Sequence, residues 1–411
     1  MSELLFSQRC EVELSPLGHP FIDAMRDVAI MGVGMTPFGM HPNRSLIDLM
    51  LEASHTALMD VDALDAPVDA LYVGCMASGM LCGLQNTATL LADELGIKPQ
   101  TAERIENSAA SGASAILNAY LAVASGLYDI ALVVGAEKMR HLPTSEATRA
   151  IASMTHPEGE KPHGVTMPSL AALLTRLYMK RYGLTREQLA LVAVKNHRNA
   201  LLNPYAHLRK EITVEDVLNS RVVAEPLRLF DCSPISDGAA ALLLAPLERA
   251  LELTDKPVVI RGVGQAVDRV MMTERDDPLI LKAVKEASRR ALKRAGLSID
   301  DVDVVELHDA FTILEIVESE DLGLFEKGEG GIAVEEGLTA IEGERPINTS
   351  GGLKARGHPL GATGVAQAVE ITWQLRGEAG ERQVRDAERG LSCNISGFAA
   401  NAVVIVYERG W

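Results

Sequence analysis

Two stretches far apart in the chain, residues 26–34 and 257–264, each read as a β-strand running into a Gly-Val-Gly turn, and the elements after them repeat in the same order. After the first come an amphipathic helix at about 45–59, the segment 61–64 and a strand at 70–74. After the second come a helix at about 279–295, the segment 299–302 and a strand at 303–307. A helix of small residues, 110–124, precedes the strand-like run 126–134, and its counterpart, 361–374, precedes 389–393. Each half then closes on an apolar strand, 239–245 and 402–406. Five echoes in one order imply an internal duplication. Alternating strands and helices imply mixed α/β layers. The two helices of Ala, Gly and Ser lack a charged face, so they belong between sheets.

The halves differ in one respect. The first carries a long insert, about 136–236, which includes a Pro/His/Gly-rich stretch at 155–168 and a helical run at 169–182. An insert on a duplicated scaffold is expected to carry a lid or substrate loop. The sequence therefore divides into an N-terminal arm (1–26), a first half (27–250) that contains the insert, and a second half (257–411).

Composition excludes several classes of function. With 56 acidic against 39 basic residues the net charge is -17, and no basic run offsets it, so no nucleic-acid partner is expected. An anionic ligand would need local help from helix N-termini or placed cations. The cysteines Cys10, Cys75, Cys82, Cys232 and Cys393 are scattered and form no Cys-x-x-Cys or Cys/His cluster. They read as reduced thiols of a cytoplasmic protein with no metal site. No run approaches the ~18 apolar residues of a membrane span, and residues 1–26 lack the pattern of a secretion signal.

The strongest chemical segment is 348–364, Asn-Thr-Ser-Gly-Gly-Leu-Lys-Ala-Arg-Gly-His-Pro-Leu-Gly-Ala-Thr-Gly. Its early part, Ser350, Gly351 and Gly352, allows a tight backbone path that could approach a ligand. Pro359 suits the opening of a helix, which places His358 at that helix's positive end. A histidine there has a depressed pKa and is poised as a neutral base.

On this segment, and on 305–311 (Val-Glu-Leu-His-Asp-Ala-Phe), 231–240 (Asp-Cys-Ser-Pro-Ile-Ser-Asp-Gly-Ala-Ala), 195–205 and 320–328, the chain resembles the thiolase superfamily from about Asp27 onward. It looks most like the archaeal-type and sterol-carrier-type branch. The resemblance implies duplicated βαβαβαββ halves in five α-β-α-β-α layers, with a loop domain inserted in the first half. It implies an acyl-CoA C-acyltransferase that runs a Claisen condensation or its thiolytic reverse on acetoacetyl-CoA-like thioesters. The coenzyme A thioester is then a substrate, and no cofactor is bound covalently. By the same resemblance His358 activates the nucleophile and His308 contacts the thioester oxyanion. Met167 is a candidate wall of the acyl pocket, with plain packing the other reading, and Lys195 and Arg198 are candidates to reach CoA phosphates, with solvated helix cations the other reading. The expected assembly is a homodimer or tetramer, with an OB-fold/zinc-ribbon protein and a hydroxymethylglutaryl-CoA synthase-like protein as possible partners.

The pattern breaks at its centre. The family's nucleophilic cysteine lies in Glu-Asn-x-Cys-Ala-Ser-Gly, and here residues 106–112 read Glu-Asn-Ser-Ala-Ala-Ser-Gly, with Ala109 at the cysteine position. A methyl group cannot attack a thioester, and Ser108 would point elsewhere on a tight turn. Three accounts of Ala109 are open: an engineered Cys-to-Ala variant, a decarboxylase or lyase that needs no acyl-enzyme, or a non-catalytic subunit of a multiprotein acyltransferase complex. Both histidines and their glycines are intact, which favours the first. Aldolase-like relatives place tyrosines around the Gly-His-Pro motif, whereas this chain keeps the histidine. A second departure is 392–397, Ser-Cys-Asn-Ile-Ser-Gly. Cys393 is expected either as the acid/base of a Cys-x-Gly motif, with Gly397 as an oxyanion contact, or as a stand-in for that branch's histidine beside Asn394. A buried core cysteine is the third reading. Cys232 and Cys82 read as structural.

Overall fold

The computed structural model describes residues 25–61 and 67–411. Nearly all of the expected arm, with Cys10, and most of the segment 61–64 lie outside the described residues. The first half runs β1 (Val28–Met35), α1 (Leu46–Met59), β2 (Ala70–Gly74), α2 (Ser78–Cys82), α3 (Thr87–Glu94), β3 (Thr101–Ile105), α4 (Ser111–Ala124) and β4 (Ala131–Glu137). The insert comes next with α5 (Thr144–Ile151), α6 (Met167–Tyr182), α7 (Arg186–Leu201), α8 (Val214–Asn219) and the small hairpin β5 (Val222–Ala224) and β6 (Leu227–Arg228). The half closes with β7 (Gly238–Pro246) and α9 (Leu247–Leu251). The second half runs β8 (Val258–Val267), α10 (Lys282–Ala295), β9 (Val304–Glu306), α11 (Thr312–Leu322), α12 (Gly330–Glu335), α13 (Leu360–Arg376), β10 (Arg389–Ser396) and β11 (Asn401–Arg409).

The strands form one sheet in the order β3-β2-β4-β7-β1-β8-β11-β10-β9. Its two half-sheets join through a short antiparallel pairing, Ala29 with Val259 and Ile30 with Val258. Side-chain alternation then builds the layers. On β7, Ala240, Leu242 and Leu244 face the central core together with α4 and α13, whereas Ala239, Ala241 and Leu243 face an outer core with α1. On β11, Val403, Ile405 and Tyr407 face the same central core, and Ala402, Val404 and Val406 face the other outer core with α10 and α11. Helix α13 is sealed between the half-sheets, with Trp373 its one residue short of full burial.

One strand of the expected repeat is missing from the second half. The counterpart of β3 shrinks to a single bridge between Val305 and Ile347. Directly afterwards Asn348 takes a left-handed conformation (φ 56°) and the chain enters a π-helical turn, Gly352–Arg356. Buried acids hold that path: Glu306 accepts from Ser350 N (3.0 Å), and Asp309 accepts from Leu353 N (2.6 Å) and Lys354 N (3.2 Å).

Glycines let the two central helices start side by side. A Cβ on Gly112 would lie 2.5 Å from Gly361 O, and one on Gly361 would lie 2.5 Å from both Gly74 O and Ala136 O. Backbone on both sides leaves nothing flexible to yield, so Gly361→Ala is expected to cost about 2–3 kcal/mol in urea unfolding. A loss below ~1 kcal/mol would show that the helices can part.

Candidate active site

Strand β3 leads into α4 through a tight turn in which Ser108 has φ 46°, a left-handed value unusual for a side-chain-bearing residue. Such strain persists where the surroundings dictate it, and it collects at functional sites. The turn is pinned by Ser111 Oγ, which accepts from Asn107 N (2.9 Å) and donates to Ser108 O (2.6 Å). Ala109 comes directly after it, buried, and lines a cavity of about 510 Å³. Ser108 does not. It lines a separate pocket with Arg104 and Glu106, as a one-residue shift on this turn requires.

His308 and His358 line the same cavity as Ala109. Their rings meet edge to face with centroids 4.9 Å apart. His358 stands just before α13. Its backbone N donates to Ser236 Oγ (3.2 Å), and its Nδ1 lies 2.7 Å from Thr363 Oγ1. The single Thr363 hydroxyl proton goes to Pro359 O (3.0 Å), so His358 Nδ1 carries the hydrogen and Nε2 is left with a free lone pair. His308 has the opposite tautomer. Ile395 N donates toward its Nδ1 (3.4 Å), which makes that atom an acceptor, and the Asn394 amide Nδ2 at 2.7 Å donates to it as well. His308 Nε2 therefore bears the hydrogen. One ring offers a base and the other a donor.

Both rings are neutral. Burial, aided by the Arg356 charge, pushes His358 down to about 3, and burial with His358 and Arg356 nearby holds His308 well below the usual histidine range. A third histidine, His207, also lines the cavity and donates from Nδ1 to Ser236 Oγ (2.9 Å), whose own proton goes to Pro234 O. Sequence reasoning missed it, although it sits two residues beyond the 195–205 run. Arg140 and Arg221 stand at the exposed rim. Nothing in their neighbourhood along the chain marks them, because the fold alone brings them together.

Met167 and Gly397 line the cavity. Other expected site residues do not. Cys393 is fully buried in the outer core of the second half and does not line the cavity, and burial beside the Glu318 carboxyl drives its thiol well above the ordinary range. Its neighbour Asn394 is the residue that reaches His308, so the acid/base expectation on Cys393 is replaced by the core-cysteine reading. Ser350, Gly351 and Gly352 are buried away from the cavity. Ser350 Oγ donates to Glu306 (2.7 Å), a Cβ on Gly351 would strike Ala200, and one on Gly352 would strike Asp309. Lys195 pairs with Glu315 (2.7 Å) and donates to Ile347 O (2.7 Å), and it does not line the cavity. Cys232, read as structural, lines the cavity, with its thiol donating to Arg228 O (3.5 Å). Among the described residues no cluster of three or more His, Cys, Asp or Glu could hold a metal, and no helix is long and apolar enough to cross a membrane.

The thiolase N-terminal domain description matches residues 28–248, and the thiolase C-terminal domain-like description matches 264–409. The chain belongs to the thiolase family. It is 48% identical over 385 residues, 94% of this chain and 100% of the relative, to an acetyl-CoA acetyltransferase of Methanothermobacter thermautotrophicus. It is 34% identical to human sterol carrier protein 2 over 94% of this chain and 73% of that protein. Among solved structures it resembles the Ltp2-ChsH2(DUF35) aldolase (TM-score 0.79, 27% identity, 92% of this chain and 97% of that one). In fold it resembles human mitochondrial 3-ketoacyl-CoA thiolase in complex with CoA (TM-score 0.73, 18% identity, 94% and 98%).

The tautomers and burial lead to a pH prediction. His358 is neutral in the fold, whereas the unfolded residue takes a proton below about pH 6.5. The unfolded chain thus binds more protons between about pH 6.5 and 3, and stability falls as pH falls across that window. Against the same background of buried acids, His358→Gln is expected to lose stability less steeply, by up to about 1.4 kcal/mol per pH unit. Urea titrations spanning this window measure it, and equal slopes would mean that the folded ring is charged.

Proposed function

We propose that this chain binds a coenzyme A thioester and carries the frame of an acyl-CoA C-acyltransferase, acting by Claisen condensation or thiolysis, whose covalent step Ala109 disables. The observation that carries this reading is the meeting of His308, His358 and Ala109 on one cavity wall. The thioester oxygen would accept from His308 Nε2–H, a buried donor of the kind worth ~3 kcal/mol to an oxyanion. With a cysteine at 109, His358 Nε2 would take the thiol proton. The thiolate would then attack the thioester carbon, CoA would leave, and the acyl-enzyme would be open to a second CoA-bound carbanion. Arg140 and Arg221 at the rim would meet the CoA phosphates.

Ala109 fits a substitution for a lost cysteine, because the strained turn, the helix start and the base remain around it. Restoration by Ala109→Cys is expected to raise acetoacetyl-CoA thiolysis at least ~10³-fold, with Ala109→Ser far below it. A folded, CoA-binding Ala109→Cys protein that stays silent would sink the acyltransferase reading.

A second reading, thiol-independent carbon–carbon cleavage or decarboxylation, draws on the neutral base and donor that survive without cysteine, and on the likeness to an aldolase. Turnover of a CoA thioester by the unaltered chain would favour it. A chain inert in both assays would fit the subunit reading. For assembly we assign a dimer built along β3, which ends the sheet and offers an edge for pairing. A zinc-ribbon partner is a further proposal.

A further inference from the structure

The proposed function assigns the thioester and not the group attached to it, and the cavity wall bears on that group. Among the described residues lining the cavity, the only charged ones are Arg140 and Arg221, both exposed at its rim. The interior therefore offers no cation to an acyl chain that ends in a carboxylate, and burying such a charge unpaired is unfavourable. Apart from the histidines and a few hydroxyls, the lining is apolar. Ile151 and Met154 pack both against the cluster around Ala109 and against the one that holds Leu314 and Phe398.

Phe398 is the most telling residue of this wall. It has φ 52° and lies between Gly397 (φ 53°) and Ala399 (φ 61°), so a phenylalanine and an alanine occupy the left-handed region where L side chains are strained. Neighbours hold them there: Arg275 Nη2 donates to Phe398 O (2.9 Å), and Asp268 N donates to Ala400 O (2.7 Å). A glycine would make this turn without strain, yet the chain keeps an aromatic ring that lines the cavity. Strain kept at a ligand-facing position points to use.

We infer that the site takes an acyl-CoA whose acyl group is uncharged, apolar and larger than acetyl, seated against Phe398, Ile151, Met154 and Leu314. The inference rests on the CoA-thioester reading and adds the substrate class to it. Calorimetric titration of the unaltered protein with CoA, acetyl-CoA, hexanoyl-CoA, phenylacetyl-CoA and succinyl-CoA tests it. Hexanoyl- and phenylacetyl-CoA are expected to bind at least about tenfold tighter than acetyl-CoA, since each buried methylene adds roughly three- to fourfold. Succinyl-CoA should bind no tighter than acetyl-CoA. Phe398→Gly relieves the strained φ but removes a buried ring, so its thermal midpoint should fall, and the variant, checked as folded by circular dichroism, should bring the hexanoyl-to-acetyl ratio toward one. If CoA binds but all four thioesters bind alike, or succinyl-CoA binds best, the acyl assignment is wrong and the CoA reading stands. If neither CoA nor any thioester binds, the CoA reading falls and takes this one with it.

Discussion

Backbone meets backbone at Gly361, and the rest of the architecture depends on that contact. The first turn of α13 presses on the ends of β2 and β4 and on the first turn of α4 at distances that admit no side chain. Two helices from different halves therefore begin next to each other. Ala109 lies just before one helix and His358 just before the other. A buried carboxylate fastens the junction: Glu137 accepts from Met76 N (2.9 Å), Ala77 N (3.1 Å) and Gly361 N (3.1 Å), joining the first half to the opening of α13. The convergence of site residues is thus a property of the packed interior and does not depend on a loop staying in place.

Behind the two histidines stands a shell of buried polar groups. Glu306 holds Ser350 and pairs with the fully buried Arg356 at 3.3 Å, Asp309 holds the π-helical turn, and Glu318 accepts from His308 N at 3.0 Å. Such burial is unfavourable for the charged forms: it pushes Glu306 and Asp309 up to about 7 and Lys354 down to about 8. Buried acids and bases are tolerated when hydrogen bonds fix them, and what they contribute is rigidity. The segment from Ser350 to Arg356 serves this shell, and its glycines 351 and 352 stand close against Ala200 and Asp309.

The duplication, the insert and the helix openings were legible because periodicity and glycine placement report local backbone demands directly. His308, His358 and Ala109 could be read because each sits in a long motif at the mouth of a strand or helix. Cys393 shows where that kind of reading stops. In β10 adjacent side chains face opposite sides of the sheet. Cys393, opposite Val404, goes to the outer core, while Asn394, opposite Val403, turns toward α13 and His308. A single sequence gives the strand and leaves its register open, and one residue of register decides which side chain meets the histidine. Arg140, Arg221, Ile151 and Phe398 were hidden for another reason. They come from the end of β4, the insert and the last hairpin, and only tertiary folding makes them one wall.

Ala109 separates two tasks that a thiol at this point would merge. Capturing an acyl group needs a nucleophile. Among the described residues the one thiol on this wall is Cys232, which burial and the nearby Asp231 push up to about 12. Polarising a thioester needs only a donor of fixed tautomer, and Asn394 and Ile395 hold His308 in the form with hydrogen on Nε2. Accepting a proton needs a neutral base, and the Thr363 hydroxyl keeps His358 in that form. Neither tautomer is fixed by residue 109. On the proposed reading, the identity of residue 109 decides covalent capture alone, and the hydrogen bonds that orient His308 and His358 do not depend on it. Binding and enolate-type chemistry could then outlast acyl transfer on the same wall.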